Sequence, residues 1–165
     1  MGRYQVSHQT RIRTRGFTVI ELIVVITVIA ILAGVVISVN FNLQAQARDT
    51  ERAADNGVIV RSLERYYQTQ AVAVGPTYPP TTTGSNGIAL IVNDIESVSA
   101  PAQTGNSVVI ATSNSPQTPT ASQYIYQPLQ ASGALCTTSP CVRFKIYYYL
   151  EVTKEVVVLN SMRQQ

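Results

Sequence analysis

Histidine is all but missing from this chain, cysteine occurs only twice, and no proline falls between residues 17 and 74. Each shortage removes something. The one histidine, His8, lies among N-terminal arginines, so the long remainder has no imidazole for acid–base work or metal ligation. No serine, cysteine or carboxylate has an evident base or metal constellation beside it, and an enzyme is not expected. Two cysteines without a histidine beyond the leader are too few ligands for a zinc site, and no cofactor is expected. The proline-free run, whose only glycines are Gly34 and Gly57, leaves a helix free to continue throughout.

Negative charge is absent from the first twenty residues, where Arg3, Arg11, Arg13 and Arg15 lie. Of 12 basic residues, the eight that remain after this leader face nine acids, a net of about −1. The basic character therefore belongs to the leader, and direct nucleic-acid binding by the remainder is not expected. From Phe17 to Val39 the chain reads FTVIELIVVITVIAILAGVVISV. At about 1.5 Å per residue this helix would be about 35 Å long, against a hydrocarbon core of about 30 Å. It is too long for a secretory h-region and ends in no small-residue cleavage site. A membrane-inserted helix is expected, with the arginines in the cytoplasm and the rest outside.

After Asn40 the pattern turns amphipathic, with Leu43, Ala47, Ala54, Val58, Ile59, Leu63 and Tyr66 at helical spacing. Asp49 with Arg52, Arg52 with Asp55, and Arg61 with Glu64 are three apart and read as a solvated face of weak ion pairs. GPTYPPTTTGSNG (75–87) ends the helix, with Gly75 as cap. GIALIVNDIESV (87–98) reads as a helical turn, and 107–113, 122–129, 142–152 and 155–161 as strands. In the third of these, Val142, Phe144, Ile146, Tyr148, Leu150 and Val152 alternate with an outward set, Arg143, Lys145, Tyr147, Tyr149 and Glu151. The last two strands would pair across Thr153 and Lys154. Tyr147 and Tyr149, beside Arg143 and Lys145, could stack on bases or sugars, or cover a loop or another subunit. Asp94 and Glu96 are too few for a calcium cage and read as solvated. Cys136 and Cys141 flank TTSP; outside a membrane they are expected to pair, worth about 2 kcal/mol by the chain-entropy argument. The expectation is an α+β chain, a long N-terminal helix followed by a small antiparallel sheet.

The leader, Gly16, Phe17, Thr18, Glu21 and the apolar run resemble the class III signal of type IV prepilins and the pseudopilins of type II secretion. The resemblance covers residues 15 to about 40. It implies cleavage by prepilin peptidase between Gly16 and Phe17 and N-methylation of Phe17, which leaves that amine protonatable. The domains would be a removed leader (1–16), a membrane-spanning and polymerising helix half (17–40), an amphipathic half (41–74) and a globular head (75–165). Other implied partners are further copies of the chain through residues 17–40, an inner-membrane assembly platform, and lipid before assembly. The precursor would sit in the cytoplasmic membrane, and the assembled subunit in an extracellular filament serving motility, adhesion or DNA uptake.

The resemblance also gives Glu21 a partner, the terminal amine of a neighbouring subunit. A charge at the centre of a membrane costs about 2.5–3.5 kcal/mol on insertion scales, less near the edge. Pairing offsets that cost, and a subunit out of register leaves the charge unpaired. The plain alternative is a glutamate that snorkels from a single-pass anchor. A minor pilin, a pseudopilin and a membrane-anchored binding domain stay open as competing functions. The chain differs from many type IV pilins in its longer leader and in having no proline in the apolar segment.

Overall fold

The computed structural model describes residues 16–70 and 75–163, with the side chains of 36–41 outside that description. The basic leader up to Arg15 and the expected helix end at 71–74 therefore lie outside the described residues. Helix α1 spans Val19–Gln70, and the chain divides into two compact units, Met1–Asn40 and Phe41–Gln165. In the first unit every side chain from Phe17 to Val35 is exposed, Phe17 at 90 %. Among the described residues no helix is long and apolar enough to cross a membrane. The expected span runs on past Val35 into the positions whose side chains are not described.

The second unit holds the core. After α1 come a 3-10 turn (Thr81–Thr83), helix α2 (Gly84–Val92), and strands β1 (Val108–Ile110), β2 (Tyr124–Leu129), β3 (Arg143–Tyr149) and β4 (Val156–Asn160). So the segment expected only to break the helix also starts a new one. Asn93 ends α2 in the left-handed region (φ 52°), its N–H donating to Ala89 O, a role asparagine tolerates. The core gathers Ile59, Val60 and Leu63 of α1, Ile88 of α2, and Phe144 and Ile146 of β3.

The sheet order is β1-β2-β3-β4, and it is mixed where an antiparallel sheet was expected. β1 pairs parallel with β2, Val108 opposite Tyr124, while the other two pairings are antiparallel. Residues 111–123 supply the dozen or so residues that a return to the same end requires. They also cover the sheet's second face. Tyr147, expected to point at water, is 3 % exposed and packs with Ala111 and Ile125. Its hydroxyl donates to Gln127 Oε1 (2.7 Å), and Gln127 Nε2 donates to the main-chain carbonyls of Ser113 (2.8 Å) and Ser115 (3.2 Å). The last hairpin is wider than expected: Tyr149 pairs with Val156, and Lys154 takes a left-handed φ of 62° between them.

The charged face of α1 is the largest departure. Asp49, Arg52 and Glu64 are buried, not solvated, and of the three expected pairs only Asp49–Arg52 (2.9 Å) is among the ion pairs of the described residues. Arg52, 2 % exposed, also donates from Nη2 to Glu151 Oε1 and from Nε to Ala121 O (3.1 Å). Asp49 accepts from the backbone N–H of Glu151 (2.8 Å) and Val152 (2.9 Å), while Arg48 Nε donates to Glu151 (3.0 Å). Lower on the helix, Asp55 accepts from Tyr124 Oη (2.8 Å). Glu64 accepts from Tyr78 Oη and from Met162 N–H, both at 2.9 Å. Burying each charge is tolerable because partners from the sheet and loops meet it.

Cys136 and Cys141 form the expected disulfide, with Cα atoms 5.7 Å apart and both residues buried. The bridged loop holds the segment after α1: Tyr78 N–H donates to Cys141 O (2.8 Å) and Thr81 N–H to Cys136 O (3.0 Å).

Two outcomes follow for the full chain in detergent micelles. Leu63→Ala (0 % exposed) should cost about 2–5 kcal/mol in chemical unfolding, whereas Leu43→Ala (55 % exposed) should stay within about 0.5 kcal/mol. Hydrogen bonds from Arg48, then Arg52, pull the Glu151 carboxyl from 4.5 to about 2. Its stabilising effect is present above 4.5 and lost as pH falls towards 2, so the thermal midpoint should drop across that window. Glu151→Gln should lower the midpoint at pH 7 and flatten that acid limb.

Candidate functional site

The stretch from Gly16 to Glu21 is where the sequence concentrates its signals. α1 begins at Val19, and Leu22 N–H makes an early helical bond to Thr18 O (3.3 Å). A helix start leaves its first N–H groups without partners, and Thr18 and Glu21 solve this between them. Thr18 N–H donates to Glu21 Oε2 (2.9 Å), and Glu21 N–H donates back to Thr18 Oγ1 (3.3 Å). The Thr18 hydroxyl itself donates to the same carboxylate oxygen (2.8 Å). This is a capping box, in which a threonine and the glutamate three residues on satisfy each other's backbone. Thr18 was legible in the sequence only as part of the wider motif. The spacing Thr-x-x-Glu ahead of an apolar run was the signal for its structural role.

Both side-chain-directed bonds from Thr18 fall on Oε2, and among the described residues no donor reaches Oε1. Glu21 therefore serves its own helix, and among the described residues its second carboxylate oxygen is left without a donor. Phe17 lies one residue ahead of this cap and is 90 % exposed. At Gly16 a Cβ would meet no atom within 4 Å, so nothing in this fold demands glycine there. Further along, Thr27 donates its hydroxyl proton to Val24 O (2.8 Å), so it could meet a partner only as an acceptor. A Cβ at Gly34 would likewise meet nothing.

The structure thus brings Thr18 and Glu21 together and places Gly16 and Phe17 immediately before them. Cys136 and Cys141 belong to the other unit and are structural. Residues 11–37 match the family described as the prokaryotic N-terminal methylation motif. No curated protein and no solved structure matched the chain. The match spans Arg11, Arg13, Arg15, Gly16, Phe17 and Glu21 together, and it supports a class III signal and a precursor of the type IV pilin or pseudopilin kind.

Removing the Thr18 side chain tests the cap. In micelles, Thr18→Ala should speed amide exchange at Glu21 and Leu22 about fivefold, the effect of losing a cap worth about 1 kcal/mol, while exchange beyond Ile29 stays unchanged.

Proposed function

We propose that the protein is the structural subunit of a type IV pilin-like surface filament, made as a membrane-inserted precursor and polymerised after its leader is removed. Prepilin peptidase cuts between Gly16 and Phe17, and the new amine of Phe17 is methylated. Self-association runs through residues 17–40. The observation that carries this reading is the exposed apolar helix of residues 17–35 lying inside the methylation-motif match. A soluble domain would not leave Phe17, Val19, Ile20, Leu22 and Ile31 in water, so lipid first and like helices afterwards supply the missing surroundings.

In this mechanism Glu21 has two tasks. Within its own chain it closes the capping box with Thr18, through Oε2. In the filament it receives the methylated amine of Phe17 from a neighbouring copy. The ion pair offsets desolvation only when the two chains are in register, so it selects the stagger between subunits. The second unit, with its own core, is the part presented to water, and no catalytic role is assigned to it.

The test is intact mass and N-terminal sequencing of the protein in material sheared from cells. A chain starting at methylated Phe17, abundant in that fraction, is the expected result. The same chain confined to membranes would point to a pseudopilin or minor subunit, and an uncut chain would reduce Glu21 to a snorkelling residue. Glu21→Ala should still be cut and methylated yet yield no filaments. Normal filaments from that variant would defeat the register mechanism.

A further inference from the structure

The sheet carries a cationic cavity that the assembly mechanism leaves unused. It has a volume of about 250 Å³ and is lined by Arg143 and Lys145 of β3, Asn160 of β4, Leu129 of β2, Gly133 and Ser161 among others. Strand register builds it. Lys145 stands opposite Asn160, and Arg143 opposite Leu129, with the period of two placing both cations on one face. Tyr147, next along that face, is buried beneath the loop, and Phe144, which also lines the cavity, is 1 % exposed, so neither ring offers a stacking platform. What remains is charge and hydrogen-bond donors.

Those cations are not neutralised by a carboxylate among the described residues. Among the described residues neither Arg143 nor Lys145 takes part in an ion pair, although Arg48, Arg52 and Arg163 do. No acid lines the cavity. Arg143 donates from Nη2 to Ala131 O, yet its Nε is buried with no partner. Of three such orphaned polar atoms among the described residues, two belong to residues lining this cavity, Arg143 Nε and Ser161 Oγ. A buried donor without an acceptor costs about 1–3 kcal/mol, and an oxyanion would relieve that cost with a charge-assisted bond. The cavity is smaller than the roughly 300–1,000 Å³ of pockets that hold drug-sized ligands. Leu129 offers a partly apolar wall, and the turn at Gly133 (φ 85°) leaves open space where a Cβ would point.

We infer that this cavity is a binding site for a small organic oxyanion, a carboxylate or phosphate group carried on a skeleton no larger than one sugar ring. Arg143 and Lys145 hold the charge and Asn160 orients the rest. The inference draws on nothing in the N-terminal unit, so it stands or falls apart from filament assembly.

The experiment is a titration of the full chain in detergent micelles, followed by amide chemical shifts, with inorganic phosphate, glucuronate and neutral glucose. Saturable shifts at Gly133, Lys145 and Asn160 with phosphate or glucuronate, and none with glucose, are expected. Saturation by glucuronate alone identifies a sugar acid, and by phosphate alone a phosphate ligand. Lys145→Gln should weaken binding about tenfold, the loss of one charge-assisted bond, and Arg143→Gln with Lys145→Gln should abolish it. Arg61→Gln, an exposed cation on α1 away from the cavity, should change nothing. Lys145→Gln keeps Arg143 in place, so its result does not depend on the double variant folding. No saturable binding of either anion, equal binding of glucose, or undiminished binding by Lys145→Gln would overturn the inference.

Discussion

A guanidinium taken almost wholly out of water organises the second unit. Arg52 cannot shed its charge, so its burial is stable only while Asp49, Glu151 and the Ala121 carbonyl all face it. Those partners come from one turn earlier on α1, from the connection between β3 and β4, and from the loop before β2. One side chain therefore fixes the helix against two separate parts of the sheet. Hydrophobic contacts such as Leu63 with its neighbours supply most of the favourable free energy, but they are non-directional. The charge cluster is directional, and it sets which turn of the helix meets which end of the sheet. Asp55 with Tyr124 and Glu64 with Tyr78 repeat the device lower down.

Much of the architecture was legible in the residues, and the reasons are physical. A proline-free run made the long helix readable, and strict alternation from Val142 to Tyr148 made β3 readable. The disulfide could be read from two cysteines that had only each other. What escaped was the burial of the helix's charges, because the partners of Arg52 and Asp49 lie about a hundred positions away. An i,i+3 pair looks the same on paper whether water or a sheet faces it. The parallel pairing of β1 escaped for a related reason. The loop that allows it is mostly polar, and it covers Tyr147 through Ala111 and main-chain bonds to Gln127 instead of an apolar stripe. At the N-terminal site, Glu21 stood out at once, whereas the cap it forms with Thr18 required geometry.

The two units solve opposite problems. The second buries Asp49, Arg52 and Glu64 and satisfies them internally. The first exposes a largely apolar surface from Phe17 to Val35 and offers, near its start, a carboxylate only partly used among the described residues. The methylation-motif match falls on that first unit alone. Chemistry that acts on the chain and chemistry that stabilises it are thereby kept on separate stretches, and changes in one need not disturb the other.

The fastening of residues 111–123 has a consequence for variation. Gln127 grips that loop through the carbonyls of Ser113 and Ser115, atoms that every amino acid possesses. Loop side chains without a contact of their own, unlike Ala111 against Tyr147 or Asn114 under the Leu135 N–H, can change while the path over Tyr147 is retained. An exposed surface can in this way change its chemical face while main-chain grips from below hold its path.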